Sequence, residues 1–366
     1  MSRNNLYVHM ICHVVTAFFV CLPGHAQMTI HVINVGQGNC VFVEGPEVHG
    51  KRKTLIFDGG KKERGGEITD YLTDIGYPAA STTFDYMIVS HKDADHFEGF
   101  FNVLEAGYDI DVFYHNGSDK KQRNYDENFI PEVRKIARKI YRMKPGYSLN
   151  LGDGCMVTCA VNDGRLIGGS SVEVKSENDK SIGLVFKYGE FEFFSAGDLG
   201  GGQFSKDLNC TNRKTSQRNV ESDLAKAMIR QQLIDRENGL EILHVSHHGS
   251  ESSTNYEFMN LLSPSVAILS VGQNQSRTYQ HPRTDIVDKV LMATAPCVTV
   301  PPALVLQTEG GLDTSKTSES GFIVGDIVIQ IEKNGKYTIS STGVFEGPQQ
   351  DETDAAGLPL EMSVDE

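Results

Sequence analysis

From Met28 onward, short apolar runs ending in Gly or Asp recur along the chain. Thr29–Val35, Cys40–Val43, Thr54–Phe57 and Tyr86–Ser90 read as strands, punctuated by Gly36-Gln37-Gly38 and Gly59-Gly60. Glu67–Ile75 and Asp95–Leu104 read as helices between them. Asn128–Arg142 reads as a further helix, with Val133, Ile136 and Ile140 on one face. The second half repeats the style without repeating the sequence. Ile182–Lys187, Phe191–Ala196, Glu241–Val245, Val266–Ser270 and Ile327–Glu332 read as strands, and Ser222–Ile234, Asn255–Leu262 and Asp285–Met292 as helices. Strand pairs mixed with strand–helix alternation predict an α/β fold, two sheets face to face with helices outside in a four-layer αββα sandwich. No linker-like stretch interrupts residues 28–345, so that span is expected to be one domain.

Composition adds little, since 39% hydrophobic and 22% charged residues are ordinary for a soluble globular protein. A net charge of −14 argues against nucleic acid as a partner until its distribution is considered. Residues 346–366 hold seven acids and no base, and residues 1–27 hold only Arg3, so the body between them carries −8. The acidic tail reads as a solvated, disordered end. Residues 1–27 have the layout of a secretory signal, with Arg3 ahead of the apolar run Ile11–Leu22 and Pro23-Gly24-His25-Ala26 before a cleavage point. Export to the periplasm or medium is the expectation, and a cytoplasmic protein is the alternative if Met28 is the true start. No other segment is apolar enough to span a bilayer, so stable membrane insertion of the mature chain is not expected. Export would leave five cysteines, and Cys155 and Cys159 read either as a disulfide or as small buried residues of a strand.

The strongest chemical signal is Ser90-His91-Lys92-Asp93-Ala94-Asp95-His96, directly after the apolar run Tyr86–Val89. In an extended stretch residues 91, 93 and 95 project to one side, while His96 projects differently and can face a second ion. Imidazoles and carboxylates this close give compact coordination, and the oxygen-rich mix suits Zn²⁺ or Mn²⁺. The alternative is a polar turn in which the histidines cap a strand and a helix. Two later strands deliver similar groups at their ends, Phe193–Asp198 an Asp and Leu243–Ser250 a run of histidines. Alone, each reads as a turn or a surface His pair; together with the first cluster they offer a carboxylate able to bridge two ions and a further imidazole.

Six motifs in order then carry a resemblance: Val32-Ile33-Asn34-Val35-Gly36-Gln37-Gly38, Leu55-Ile56-Phe57-Asp58-Gly59-Gly60, Ser90 to His96, Ala196-Gly197-Asp198, Val245-Ser246-His247-His248-Gly249-Ser250 and Tyr279-Gln280-His281-Pro282. The sequence resembles the metallo-β-lactamase superfamily, and within it the hydrolase domain of ComEC-type competence proteins, over residues 28–283. The resemblance implies two divalent metal ions. His91 and Asp93 would hold one ion and Asp95, His96 and His248 the other, with Asp198 bridging. Asp58, Asn178 and His247 would orient ligands rather than bind metal, although Asp58 also reads as a turn residue. Asp95 and His281 are the residues expected to take part in the reaction, His281 touching substrate or donating a proton; a surface His is its other reading. Asp93 replaces the second His of the wider superfamily, a change the ComEC-type branch shares. A further His expected before the strand leading to Asp198 is absent, and Asn178 stands near its place.

Paired cations lower the pKa of bound water and stabilise oxyanions, so hydrolysis is the implied reaction. A phosphate-containing substrate, DNA among the candidates, is expected from the resemblance and from basic residues. Arg134, Arg138 and Arg142 repeat at four-residue spacing, which on a helix makes a guanidinium stripe suited to phosphate, and Lys206, Arg213, Lys214 and Arg218 follow Asp198. An ordinary solvated face is the alternative. So are other substrates (a lactone, a thioester or a cell-surface phosphoester) and a non-catalytic, metal-stabilised binding module. ComEC-type proteins that import DNA have a multi-spanning channel region, and this sequence holds none. A role in DNA import is therefore expected to need a separate membrane partner.

Overall fold

Period-two alternation sorts the strand residues onto opposite faces, and those faces define the layers of the molecule. The computed structural model describes residues 27–202, 215–292 and 298–343, and the backbone of Met362 and Ser363. Strands β1 (Gln27–Val32), β2 (Val41–Glu44) and β3 (Thr54–Phe57) form an antiparallel meander. β4 (Thr83–Val89), β5 (Asp109–His115) and β6 (Lys139–Arg142) extend it in parallel beside β3. The chain then crosses to a second sheet. There β7 (Ser148–Gly152), β8 (Cys155–Asn162), β10 (Gly183–Tyr188) and β11 (Phe191–Ser195) pair antiparallel, with the short β9 (Arg165–Leu166) against β8. β12 (Ile242–His244), β13 (Val266–Leu269), β14 (Leu304–Gln307) and β15 (Phe322–Ile323) continue it in parallel. Finally β16 (Ile327–Glu332), β17 (Tyr337–Ser341) and β18 (Met362–Ser363) return to the first sheet, β16 beside β1.

Three apolar cores separate four layers. Leu55, Phe57 and Ile88 of the first sheet meet Leu184, Phe186 and Phe193 of the second in the central core. The intervening residues Ile56, Met87 and Val89 face outward, against α1 (Gly65–Asp74) and α3 (Phe100–Ala106), which follows the single turn α2 (Ala94–Phe97). Val185, Phe194 and Leu243 face the other way, against α5 (Glu221–Arg230) and α6 (Tyr256–Leu262). This is the αββα sandwich expected from the sequence. Its parallel strands β3, β4, β11 and β12 bring their C-terminal ends to one edge, where Ile182 N donates to Ser90 O across the sheets at 3.0 Å.

One predicted element is corrected. Residues 128–142 are not one helix: a π-helical turn at Asn124–Phe129 runs directly into α4 (Ile130–Ile136), and the helix ends there. Ala137 turns to extended geometry, and Lys139–Arg142 pairs with β5 as an edge strand. Backbone pairing overrides the four-residue spacing, so no stripe of Arg134, Arg138 and Arg142 exists. Arg134 ends α4, Arg138 pairs with Asp111 at 3.0 Å and Arg142 with Asp163 at 2.7 Å. Cys155 and Cys159 are buried free thiols on β8 rather than a disulfide. The expected signal segment (Gln27 excepted), Lys206, Arg213, Lys214 and all of the acidic tail but the backbone of Met362 and Ser363 lie outside the described residues. Among the described residues no helix is long and apolar enough to cross a membrane.

Candidate metal centre

Each candidate ligand follows the end of a strand, where backbone pairing stops and the chain is free to turn toward the shared edge. After β4, Ser90–Asp93 bends, and Asp93 in extended geometry precedes α2. Residues 91, 93 and 95 are therefore not one extended stretch, because Asp95 and His96 already belong to the helical turn. Asp58 follows β3 in the left-handed region at φ 60° and is fully buried. Gly197, with φ 50°, turns the chain into Asp198 after β11; an added Cβ there would lie 2.5 Å from Ser90 Oγ. After β12, Ser246–Gly249 makes a tight turn with His247 and His248 both left-handed, at φ 52° and 53°. Such backbone is costly for residues with a Cβ and concentrates at sites where side chains must be aimed.

The aim is toward Asp198. Its Oδ1 lies 3.0 Å from His96 Nε2 and 3.5 Å from His248 Nε2, and its Oδ2 lies 3.4 Å from His247 Nε2 and 3.9 Å from His91 Nε2. Asp93 Oδ2 is 3.6 Å from His91 Nε2, and Asp95 reaches His248 Nε2 at 3.6 Å and His96 Nε2 at 3.9 Å. Two groups result, His91, His96 and Asp198, and Asp95, His96 and His248, each with donor atoms within 4.8 Å of one another. Donor atoms about 2.0–2.1 Å from one tetrahedral ion would sit roughly 3.4 Å apart. The observed separations bracket that value.

These atoms are also left without partners. His91 Nε2, His248 Nε2, His96 Nε2 and Asp198 Oδ1 are buried with no hydrogen-bond partner, His96 and Asp198 meeting as an ion pair at 3.0 Å. Unpaired buried polar atoms are expensive. Four of them gathered around one carboxylate, in two overlapping donor groups, fit divalent cations.

The opposite edge of each imidazole is held. His96 Nδ1 lies 2.8 Å from Asp58 Oδ2, and Asp58 also accepts from Ser90 N at 2.6 Å and Ser90 Oγ at 2.7 Å. His248 Nδ1 donates to Ser270 O at 2.8 Å, and His91 Nδ1 lies 3.0 Å from Ser90 Oγ and 3.2 Å from Ser181 Oγ. A proton fixed on Nδ1 leaves the Nε2 lone pair facing the site. Charge follows the same geometry. Burial opposes ionising His96, but Asp198 and Asp58 on its two sides raise its imidazole well above its ordinary value. Burial also works against the Asp198 carboxylate, yet His247, His96 and His248 hold it well below the usual range.

The structure thus brings His91, Asp93, Asp95, His96, Asp198 and His248 together, with Asp58, Asn178 and His247 against them. His281 joins the rim, its ring 5.4 Å from that of His247 and 6.3 Å from that of His248, its Nδ1 unpaired. Arg138 and Arg142 are engaged by Asp111 and Asp163 rather than by this site. His244, in the same motif as His248, is a core clamp between Ser195 Oγ and Ser270 Oγ at 2.9 and 2.8 Å. Sequence reading missed Ser181, Gln217, Ser252 and Ser270. Gln217 accepts from His247 Nδ1 at 3.0 Å and donates to Asp198 O at 3.0 Å. Ser252 lies five residues from His247, while Ser181, Gln217 and Ser270 come from remote segments.

No protein-family model matches the chain. It is 24% identical over 294 residues to ComE operon protein 3 of Bacillus subtilis (strain 168), over 75% of this chain and 32% of that protein. The chain thus spans about a third of the length of that relative. Among solved structures it is similar in part to a mutant of CmlA beta-hydroxylase, with 12% identity over 67% of this chain and 46% of that one and a TM-score of 0.37. A diphosphatase of the PhnP family matches with 11% identity over 67% and 87% and a TM-score of 0.36. MEM-A1, a subclass B3 metallo-beta-lactamase from a soil metagenome library, matches with 14% identity over 60% and 79% and a TM-score of 0.33.

Proposed function

We propose that this chain, which resembles the metallo-β-lactamase superfamily and its ComEC-type branch, is a metal-dependent hydrolase acting on a phosphodiester. The observation that carries the reading is the convergence of the unpaired, buried Nε2 atoms of His91, His96 and His248 on the carboxylate of Asp198, His96 and His248 toward Oδ1 and His91 toward Oδ2. Asp93 and Asp95 complete the set from the same loop. Bound divalent ions, Zn²⁺ or Mn²⁺, would lower the pKa of water and polarise a phosphoryl oxygen.

The chain's own residues do the rest. Asp58, Ser90 and the Ser270 carbonyl keep three imidazoles in the tautomer with a free Nε2. Three carboxylates, Asp93, Asp95 and Asp198, set against two divalent ions leave one net positive charge, which favours an anionic substrate over a neutral one. Burial, reinforced by the neighbouring imidazoles of His247 and His248, keeps His281 uncharged well below its ordinary pKa. Its unpaired, buried Nδ1 can hydrogen-bond a substrate oxygen brought into the site without adding charge. DNA is the first substrate to try, by the resemblance of the ordered motifs to ComEC-type proteins.

The test is to strip the purified protein of metal and supply Mn²⁺ or Zn²⁺. It is then incubated with single- and double-stranded DNA and a chromogenic phosphodiester. Metal-dependent cleavage that falls at least ~10³-fold in Asp95→Ala is expected, from loss of a ligand and of charge at the reacting centre. Metal uptake without cleavage of any phosphodiester would instead point to another ester or to a binding module.

A further inference from the structure

The carboxylate of Asp198 divides the site unevenly. Its Oδ1 faces the imidazoles of His96 and His248 at 3.0 and 3.5 Å, with Asp95 beside them. On the Oδ2 side His91 stands at 3.9 Å, with Asp93 3.6 Å from the His91 nitrogen. That side has one imidazole fewer, unless His247 is counted. We infer that His247 is itself a ligand of the ion on the Oδ2 side of Asp198, completing a set of His91, Asp93, Asp198 and His247. The inference rests on the two-ion reading above.

Three observations carry it. First, His247 Nε2 lies 3.4 Å from Asp198 Oδ2, the spacing of about 3.4 Å that two donors on one tetrahedral ion adopt. This is closer than His91 stands, although His247 falls outside the tightest trio of donors. Second, its other nitrogen is held as in a ligating histidine. Nδ1 lies 2.8 Å from Ser252 Oγ and 3.0 Å from Gln217 Oε1. The carboxamide oxygen can only accept, so the Nδ1 proton points there and the Nε2 lone pair faces the site. Gln217 is fixed in turn by Asp179 Oδ1 at 3.1 Å. Third, His247 and His248 are consecutive left-handed residues, a conformation that aims both side chains at the one carboxylate, each toward a different oxygen.

Asn178 is the competing candidate and it faces the wrong way. Its Nδ2 donates to Asp198 Oδ2 at 3.3 Å and approaches His247 Nε2 at 3.4 Å. An amide nitrogen carrying two protons has no lone pair for a metal. Its contact with His247 requires an unprotonated Nε2 and is long enough to give way to an ion. Asn178 therefore steadies His247 and Asp198 and leaves ligation to the imidazole.

The experiment uses the full chain, stripped with a chelator and titrated with Zn²⁺ and with Co²⁺. Bound metal is counted by mass spectrometry and affinities are measured by calorimetry. Wild-type protein is expected to take up two ions, and Asn178→Ala likewise. His247→Ala should weaken one of them beyond the ~10–100-fold that loss of a supporting hydrogen bond produces. In Co²⁺-loaded His247→Cys, a thiolate-to-cobalt absorption band absent from the wild type reports direct contact even if the alanine variant folds poorly. A weakening inside that range, or no new band, overturns the assignment. So does loss of the ion in Asn178→Ala while His247→Ala keeps both. Wild-type protein that takes up no metal contradicts the metal reading as a whole, and His247 with it. Two ions in the wild type with one weakened in His247→Ala, but no hydrolysis, would uphold the ligand and defeat only the phosphodiesterase.

Discussion

Asp58 shows how much of the site depends on one carboxylate that touches no candidate metal position. It is buried, left-handed and bonded at once to Ser90 N, Ser90 Oγ and His96 Nδ1. Asn tolerates the same backbone and would keep the acceptor for Ser90 N. Its amide protons would face His96 Nδ1, pushing the imidazole proton onto Nε2, the atom that must stay bare. Asp58→Asn is therefore expected to fold, with an unchanged circular dichroism spectrum, and to bind metal ~10–100-fold more weakly by calorimetry. Unchanged affinity would make Asp58 a turn residue and nothing more. At this scale the sequence was informative where ligands are contiguous, as from His91 to His96. It was silent on Gln217, Ser181 and Ser270, whose contacts join segments tens of residues apart, and on Ser252, five residues from His247 in a serine-rich turn with no pattern of its own. The function of His247 sat between these cases, since a His-His pair does not say which imidazole points where.

At the scale of elements, hydrophobic runs located most strands because a strand buried on both faces is apolar throughout, as in Thr54–Phe57 and Val266–Leu269. The failure at residues 128–142 has the opposite cause. Lys139–Arg142 is an edge strand with charged side chains, a composition that protects an exposed edge and imitates a solvated helix. The junction of β11 and β12 hides a further feature, a pair of acids. Glu192 N donates to Glu241 Oε2 at 2.8 Å, and burial, with Glu192 adding to it, pushes the Glu241 carboxyl up to about 7. Between its ordinary 4.5 and about 7 the folded protein keeps a proton that the unfolded chain has released. Stability must then fall as pH rises through that window and level off above it. Glu241→Gln keeps the acceptor without the charge, so it should flatten that slope and stabilise the protein at pH 8 by about 2 kcal/mol, allowing for partial exposure. Urea denaturation across pH 4.5–8 checks it, and an unchanged slope would contradict the assignment.

Across the whole molecule, the site is a product of the sandwich. One sheet contributes His91, Asp93, Asp95 and His96 after β4, and the other contributes Asp198 after β11 and His248 after β12. The layers were legible in the sequence because alternation writes them residue by residue into the cores. The meeting of the two edges was not, since it depends on how the sheets stack, and there the ordered motifs of the resemblance stood in for geometry. Bound ions would tie the two sheets together at the edge already joined by Ile182 and Ser90. The most direct measurement is a crystal structure of the protein loaded with Mn²⁺ or Zn²⁺, with anomalous difference maps on either side of the metal's absorption edge. The account predicts two peaks ~3.5–4 Å apart, one by each carboxylate oxygen of Asp198, with His96 and His248 around one and His91 around the other. Peaks away from Asp198, or none at full loading, would contradict it.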